Sequence, residues 1–395
     1  MSNDTPIQFP EREDVQEDLR DLFRGAIRFS LEAFLEEQLV EMIGADRYQR
    51  VTHRRDSRNG SYLRRLLTSL GHIDVNVPRS RESGSPAAES LGRYRRRTED
   101  LDAAICEAYV GGVSTRGMQH VTEALTGESV KRSTVSRITK RLEENVTRIR
   151  SAKIDEPITY LYLDATFLDA RWARSVENVA ALVAYGIGPD GKRQLLAVTI
   201  GAQESTESWA DLLQQLVDRG LSGVRLVIAD GHAGLWKAVR RVLPEASHQR
   251  CTVHLIRNIG AKGPKRLQAR LAREAVKILH APSLAEAKKR KLAFEKGLGR
   301  QVPEAVECLK ETFSLATTYY AVPKKHWVRV RSTNGLERLN NEIKRRIKAV
   351  GAFPDRASAL RLITAVALRI TSIWAERRYL DMTLFTDDKE DQQAA

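Results

Sequence analysis

The hydrophobic periodicity of this chain changes near residue 158, and this change constrains the fold more than any other sequence feature. Before it, apolar residues recur at the spacing of three and four that is typical of amphipathic helices. After it, three segments alternate apolar and polar residues as strands do. With 395 residues, the chain is long enough for two or three domains. The sequence therefore predicts an α/β core with a mixed sheet, preceded by a mainly α-helical region.

The N-terminal region is predicted to be helical around one short strand, in which Ile73, Val75 and Val77 share a face. The predicted elements are a helix over 11–45 that stops at Gly44, a turn at Asn59-Gly60, a strand over 70–77, a loop over 83–90, and helices over 100–110, 114–125 and 131–146. The last two helices flank a turn at Gly127, and the second is basic. This pattern is typical of a helix-turn-helix, although an ordinary helical hairpin has the same spacing.

The second half of the chain is predicted to follow the order β-β-β-α-β-α-β. The predicted strands and helices are strands over 158–167, 179–188 and 194–201, a helix over 206–219, a strand over 224–229, a helix over 235–242 and a strand over 249–253. A turn at Pro189-Asp190-Gly191 makes the second and third strands antiparallel. Residues 256–325 read as helices with breaks at Gly263-Pro264 and Ala281-Pro282, and further helices are predicted over 332–350 and 356–380.

These patterns divide the chain into seven predicted segments. They are an acidic helical segment (1–48), an Arg-rich segment (49–98), a helix-turn-helix-like domain (99–152), the first part of the α/β core (153–255), a helical insertion (256–328), C-terminal helices of the core (329–382) and a disordered tail (383–395).

Positive charge is concentrated in blocks, within a net charge of +14. Residues 47–97 contain 13 arginines, no lysine and four acids, whereas residues 1–46 contain 12 acids and four bases. Residues 257–300 and 324–348 are the other basic blocks. Solvated helices alone can carry such charge, but arginine without lysine favours bidentate contacts. Nucleic acid is therefore the expected partner.

Several protein classes are excluded by composition. A hydrophobic fraction of 42% argues against wholesale disorder, and three widely spaced cysteines argue against a disulfide scaffold. The N-terminus lacks the apolar segment of a secretory signal. No apolar run was expected to reach membrane-spanning length, the longest being Val179–Ile187. We expect a cytoplasmic, nucleoid-associated protein without a membrane partner.

Three acids are candidates for a metal-dependent phosphodiester site, because such chemistry needs carboxylates from distant elements to hold divalent cations. Asp164 lies within an apolar strand, Asp230 ends a short one, and Glu337 lies near the start of a late helix ringed by arginines. Each has an alternative explanation. Asp164 could face solvent, Asp230 could cap the next helix, and Glu337 could complete a capping box with Asn334.

Cys251-x-x-His254 has the spacing of half a zinc site. No second pair follows, so structural zinc is not expected. The alternative is a buried cysteine and a histidine at a helix start.

The order of these motifs resembles the Mutator-type transposases of bacterial insertion sequences, which are DDE enzymes with a ribonuclease-H-like core. The C-terminal motifs that carry the resemblance are Asp164, Asp230-Gly-His232, Cys251-x-x-His254 and Ser-Thr-Asn334-x-x-Glu337-Arg338-x-Asn340. The N-terminal ones are Arg58-Asn-Gly-Ser-Tyr62-x-Arg64, Thr68-x-x-Gly71-x-Ile73-x-Val75-x-Val77-Pro-Arg79, Tyr94-x-Arg96 and Gly112-Val-Ser-Thr-Arg116. The resemblance covers roughly residues 30–380.

The resemblance implies that Asp164, Asp230 and Glu337 are the catalytic acids and bind two Mg²⁺ or Mn²⁺ ions. The expected supporting residues near the site are His232, Cys251, His254, Asn334, Arg338 and Asn340. Double-stranded DNA, as terminal inverted repeats and target, is the expected partner of a homodimer or higher homo-oligomer. The expected DNA contacts are Arg54, Arg55, Arg58, Arg64, Arg65, Arg79, Arg116, Lys131, Arg132, Ser133, Arg137, Lys265, Arg266, Arg345 and Arg346.

Two other functions remain open from the sequence. A domesticated DNA-binding regulator would bind repeats without cleaving them. A structure-specific nuclease with the same core would cleave without strand transfer. An RNA-binding protein is less favoured, since aromatics make up only 6% of the chain and show no recognition signature.

Overall fold

The computed structural model describes residues 12–92, 95–172, 175–201, 203–374 and 376–385. The chain divides into two compact units, Met1–Thr139 and Lys140–Ala395. Tyr94 and residues 386–395 of the expected tail lie outside the described residues. The last described residue, Phe385, contacts the rings of Tyr160 and His326.

The first unit packs helices around a two-stranded antiparallel ribbon. Its elements are α1 (Arg12–Ile43), β1 (Arg58–Thr68), β2 (Gly71–Ser80), α2 (Ala87–Ser90), α3 (Glu99–Gly111), α4 (Gly117–Thr126) and α5 (Arg132–Ile138). Ile73, Val75 and Val77 are buried on one face of β2, as predicted, and pack with Leu35 of α1. The α1 stop at Gly44 is also confirmed, since Gly44 adopts a left-handed φ of 75° that favours glycine.

Two local predictions in this unit were wrong. Asn59-Gly60 does not reverse the chain, because both residues lie within β1, where the register shifts between Arg58 and Ser61. Gly60, at φ 69°, provides the backbone conformation for this bulge, and the chain reverses later, between Thr68 and Gly71. The last four residues of the expected loop over 83–90 form α2.

The helix expected over 131–146 is also interrupted. It is split into α5, a 3₁₀ turn over Thr139–Leu142, and α6 (Glu143–Ser151). The Thr139 hydroxyl donates to the Ser136 carbonyl at 3.1 Å, so a side chain competes for the backbone acceptors at this point. The division between the two compact units falls at the same place.

The second unit contains a five-stranded mixed sheet. The elements up to its last strand are β3 (Tyr160–Trp172), β4 (Ser175–Ile187), β5 (Arg193–Gly201), α7 (Thr206–Asp218), β6 (Leu226–Ala229), α8 (Ala233–Val242) and β7 (Ser247–Arg250). The strand order is β5-β4-β3-β6-β7, with the first three antiparallel and the last two parallel to β3. The predicted β-β-β-α-β-α-β order and the mixed α/β class are confirmed.

One face of the sheet is covered by α7 and α8, which bury Trp209, Leu213 and Leu235 against Leu161 and Leu163 of β3. The alternation along β3 sends Tyr160 and Tyr162 to the opposite face. Tyr162 stacks there on Tyr185 of β4, at 4.4 Å between ring centroids. Both faces of the first part of β3, over residues 160–164, are therefore buried, which fixes its register.

Helices follow the sheet along the chain. They are α9 (Thr252–Ala261), α10 (Lys265–Leu279), α11 (Leu284–Leu298), α12 (Pro303–Ala316), α13 (Trp327–Val330), α14 (Asn334–Val350) and α15 (Arg356–Thr371). The predicted breaks at Gly263-Pro264 and Ala281-Pro282 are confirmed, whereas the breaks after α11 and α12 were not predicted. The helices α9 to α12 share their own apolar core. The helix predicted over 356–380 is shorter than expected, because α15 ends at Thr371 and a 3₁₀ turn follows.

Arg356–Trp374 is the one described segment that is long and apolar enough to cross a membrane by length and composition, and it is longer than the apolar run at Val179–Ile187. Half of it is buried within the protein. Its buried residues include Leu362, Ile363 and Val366, and it contacts β5 and β3. These features are those of a core helix.

Candidate active site

Asp164 and Asp230 are brought together by the parallel pairing of β3 with β6. In this register Tyr160 lies opposite Leu226 and Tyr162 lies opposite Ile228. Continuing the register by two residues places Asp164, the fifth residue of β3, beside Asp230, which directly follows the last residue of β6. Neighbouring strands lie about 4.8 Å apart, so the two carboxylates share one local environment.

Asp164 is buried, with 9% of its surface exposed. Its Oδ2 accepts a hydrogen bond of 2.7 Å from Nδ2 of Asn340 on α14, and its Oδ1 accepts one from the backbone of Ala165. Burial raises the pKa of Asp164 to about 7; His254 opposes this shift and the negative charge of Asp230 adds to it. The alternative of a solvent-facing aspartate is therefore wrong.

Asp230 is followed by a loop that shapes the start of α8. Its Oδ1 accepts a hydrogen bond of 2.8 Å from the backbone of His232. His232, and not Asp230, is the N-cap of α8, where its Nδ1 accepts from the backbone of Leu235. The alternative that Asp230 merely caps this helix is therefore wrong.

Glu204, on the loop before α7, is a further acid at this site. Its Oε1 accepts a hydrogen bond from the Trp209 indole and lies 3.5 Å from Nδ1 of His232. Burial raises the pKa of Glu204, with His232 opposing this and Asp230 adding to it.

Glu337 lies in the first turn of α14, but its side chain turns to α9. Its Oε1 is 3.0 Å from Nη1 of Arg257 and 3.9 Å from Nε2 of His254. Thr333 is the N-cap of α14 and makes no side-chain capping bond, so the alternative of a capping box with Asn334 is wrong. The Glu337 carboxylate instead lies between α14 and α9, where Arg257 pairs with it.

Cys251 is fully buried at the start of α9. Its sulfur accepts hydrogen bonds from the backbone and the hydroxyl of Thr333, at 3.3 and 3.4 Å. Although burial acts to raise it, the pKa of the Cys251 thiol is lowered by His254. The interaction with Cys251 in turn raises the pKa of His254 to about 9, despite burial of the ring. The pair therefore joins α9 to the residues that precede α14.

The chemistry of the site fits a divalent cation that prefers oxygen ligands. Asp164 and Asp230 form a close pair of acids. Nearby, Glu337 Oε1 and Asn340 Oδ1 are buried acceptor oxygens without a hydrogen bond. No group of three or more His, Cys, Asp or Glu side chains in the described parts of the chain is arranged to hold a metal ion as it stands. The third acid, Glu337, is ion-paired with Arg257 of α9.

The remaining expected residues lie in different surroundings. Asn334 begins α14 and Arg338 lies one residue beyond Glu337. In the first unit, Arg58 is paired with Glu36, Arg64 donates to the carbonyls of Gly92 and Arg95, and Arg65 pairs with Asp74. The exposed ones are Arg54, Arg55, Arg116, Lys131, Arg132, Ser133, Arg137, Lys265, Arg266 and Arg345. Arg346 is mostly covered and pairs with Glu342.

The first unit also contains a basic cavity of about 810 Å³. Its lining residues include Tyr62, His72, Arg64, Arg65, Arg79, Arg95, Arg96, Arg97 and Lys131. The Arg79 guanidinium lies over the Tyr62 ring, 5.6 Å from its centroid.

Sequence reasoning missed Glu204 and Arg257. Glu204 lies in a short polar stretch before an amphipathic helix, where an acid is ordinary. Arg257 lies three residues after His254, which is a helical spacing that places both side chains on one face of α9. That spacing was the available signal for Arg257.

The fold and site define an α/β protein in which two acids meet where β6 ends beside the parallel strand β3. A family model described as "Transposase, Mutator family" matches residues 5–377. The chain belongs to this family.

Relatives with assigned names match most of the chain. The transposase for insertion sequence element ISRM5 of Rhizobium meliloti (strain 1021) is 38% identical over 371 residues, which are 94% of this chain and 93% of the relative. The transposase for IS256 in transposon Tn4001 of Staphylococcus aureus is 35% identical, over 91% and 93% of the two chains. The transposase for IS1081 of Mycobacterium tuberculosis is 34% identical, over 93% and 89%.

Proposed function

We propose that this chain is a DDE transposase that cleaves DNA at the terminal inverted repeats of an insertion sequence and joins the freed 3′-hydroxyl to target DNA. Its core is ribonuclease-H-like, its cofactor is Mg²⁺ or Mn²⁺ as two ions, and it acts as a homodimer or higher oligomer because two ends are handled together. The β-β-β-α-β-α-β order and the mixed sheet support the core assignment. Membership of the family supports DNA as the substrate.

The observation that carries this proposal is the convergence of Asp164 of β3 and Asp230 at the end of β6, with Asn340 of α14 bonded to Asp164 and Glu337 one turn earlier on the same helix. These acids are distant in sequence, and at least Asp164 is buried where an uncompensated charge is costly. A cation offsets that cost. Asp164, Asp230 and Glu337 are the residues that would hold it.

In the proposed reaction a water oxygen attacks the phosphorus at the transposon end. The bond to the 3′-oxygen breaks, and that oxygen takes up a proton. The freed 3′-hydroxyl then attacks a target phosphate, forming a new bond while a target 3′-oxygen leaves. Divalent cations activate the attacking oxygen and neutralise the leaving one in such displacements.

The other residues of the site position these acids. Asn340 orients Asp164 by its hydrogen bond, and His232 orients Asp230 through its backbone N–H. His254 and Arg257 place positive charge beside Glu337, where an incoming DNA phosphate can meet it. The Arg-rich region and α4–α5 are proposed to bind the terminal repeats.

The proposal is tested by strand cleavage and joining on DNA that carries the terminal repeats. We expect Asp164→Asn, Asp230→Asn and Glu337→Gln each to slow both steps by about 10³-fold or more, since a cation supplies several kcal/mol to the transition state. Binding to repeat DNA should be unchanged. The matched control is Glu342→Gln, because Glu342 lies on the same helix but pairs with Arg345 and Arg346.

The outcome distinguishes the alternatives. Specific binding by the wild-type protein without metal-dependent cleavage would indicate a DNA-binding regulator. Cleavage without joining would indicate a structure-specific nuclease. Full activity in any of the three acid variants would remove that residue from the catalytic set.

A further inference from the structure

Asn340 is buried to 95% in the second unit, one helical turn after Glu337 on α14. Its two polar atoms have different environments. Nδ2 donates the 2.7 Å hydrogen bond to Asp164, across 176 positions of sequence. Oδ1 is buried and has no hydrogen-bond partner. Burial of an amide oxygen without a hydrogen-bond partner costs free energy. A bound ion or water that contacts the oxygen offsets this cost.

The carboxylate that Asn340 holds, Asp164, lies beside Asp230 in the β3–β6 register. Glu337 lies one turn earlier on α14, where its Oε1 forms an ion pair with Nη1 of Arg257 at 3.0 Å. The unpartnered Oδ1 of Asn340 therefore belongs to a side chain that contacts a pair of acids, where a hard cation would bind.

From this geometry we propose that Asn340 is part of the cation site, with its Nδ2–H fixing Asp164 and its Oδ1 directed at the bound divalent ion. The inference rests on the proposed function, because it concerns the same cation. It adds a neutral oxygen to the three acids. Amide oxygens are accepted ligands of Mg²⁺ and related hard cations, either directly or through a retained water.

The competing explanation is structural. In it, Asn340 serves only to satisfy buried Asp164 and to join α14 to β3. Both explanations predict that removal of the amide affects folding stability and activity. Both also predict weaker metal binding when the amide is removed, because Asp164 would lose its support. They differ in what they predict for an acid at this position, since only a side chain that contacts the ion gains metal-dependent stabilisation from an added carboxylate.

The experiment measures Mn²⁺ binding to the full chain, by electron paramagnetic resonance and calorimetry, and the rise in unfolding temperature that Mn²⁺ produces. We expect Asn340→Ala to weaken Mn²⁺ binding about 10-fold or more, as loss of residues supporting metal ligands does. The matched control is Asn341→Ala, since Asn341 is the next residue of α14 and is exposed. It should bind Mn²⁺ within about twofold of wild type, which is the scatter expected away from the site.

Asn340→Asp provides the second, independent readout. It places a carboxylate against Asp164 at nearly the same volume, so the metal-free protein should lose stability by like-charge repulsion. If Oδ1 faces the ion, Mn²⁺ should raise the unfolding temperature of this variant more than that of wild type. This readout remains decisive if Asn340→Ala fails to fold.

The results separate the two proposals. Wild-type affinity in Asn340→Ala, or an unchanged Mn²⁺-induced shift in Asn340→Asp, overturns the role of Asn340 and leaves the proposed function intact. Absence of Mn²⁺ binding by wild type, with Asp164→Asn indistinguishable from it, overturns the proposed cofactor and this inference together.

Discussion

Gly191 shows how one residue controls the approach of two segments. It has a φ of 72° in the turn between β4 and β5, which favours glycine. Its carbonyl accepts hydrogen bonds from the backbones of Tyr379 and Leu380, at 2.8 and 3.0 Å. A Cβ at this position would overlap the Leu380 carbonyl oxygen. The C-terminal segment can therefore lie against this turn only because the residue is glycine.

We predict that Gly191→Ala lowers the free energy of unfolding by about 2 kcal/mol or more, because left-handed backbone strain of about 1–2 kcal/mol is added to the overlap. Hydrogen exchange at the Tyr379 and Leu380 amides should become faster. Gly188→Ala is the control within the same turn, since a Cβ there meets only ordinary contacts. Equal exchange in the two variants would show that the C-terminal segment does not depend on Gly191.

The candidate acids Asp164 and Asp230 could be identified from the sequence because of their positions relative to apolar strands. Asp164 interrupts an apolar strand and Asp230 ends one, so both are costly unless a partner is present. The direction of the Glu337 side chain could not be obtained in this way. Whether it caps its own helix or reaches Arg257 depends on how α9 packs against α14, which is a long-range contact.

At the scale of elements, Gln249 joins the sheet to the helices that follow it. It is fully buried on β7. Its Nε2 donates to the carbonyl of Ala316 at the end of α12, and its Oε1 accepts from the backbone of Tyr319 at 2.7 Å. One side chain thus satisfies backbone groups that no helix or strand satisfies.

We expect Gln249→Leu to lower the free energy of unfolding by about 2–4 kcal/mol, because it leaves these two buried backbone groups without partners. Chemical denaturation measures the change. Gln301→Leu, at an exposed position between α11 and α12, should change the free energy by less than about 0.5 kcal/mol. Similar losses in both variants would mean that Gln249 is not the attachment point.

Helices and strands with a strong hydrophobic periodicity were predicted well. Interruptions that depend on a single side-chain hydrogen bond or on a bulge were not. The strands of the core followed from apolar spacing, and two of the breaks among the later helices followed from the Gly263-Pro264 and Ala281-Pro282 pairs. The interruption between α5 and α6 did not, because the pattern over 131–146 is continuous while Thr139 diverts a backbone acceptor. The Asn59-Gly60 pair has a turn signature, yet its surroundings use it as a bulge within β1.

At the scale of the molecule, acidic and basic residues lie close together within the first unit, since Glu36 of α1 pairs with Arg58 of the Arg-rich segment. The first unit contains both the acidic helix α1 and the basic cavity. If the cavity binds DNA phosphates, the affinity should depend on salt through the number of counterions released, with a slope of about 0.9 per phosphate contact. The salt dependence therefore distinguishes the basic side chains that contact DNA phosphates from those that only keep the protein soluble.

We predict that Arg79→Gln and Lys131→Gln, which alter the lining of the cavity, each reduce the slope of log affinity against log salt by about 1. The control is Arg28→Gln, which removes the same charge from the exposed surface of α1 and should leave the slope unchanged. Fluorescence anisotropy with repeat and unrelated DNA over a salt series measures both. If all three variants shift the slope equally, DNA binding depends on the net charge of the protein and not on the residues that line the cavity. If only the cavity variants shift it, and do so on both DNAs, these residues contact phosphates and sequence is recognised elsewhere in the chain.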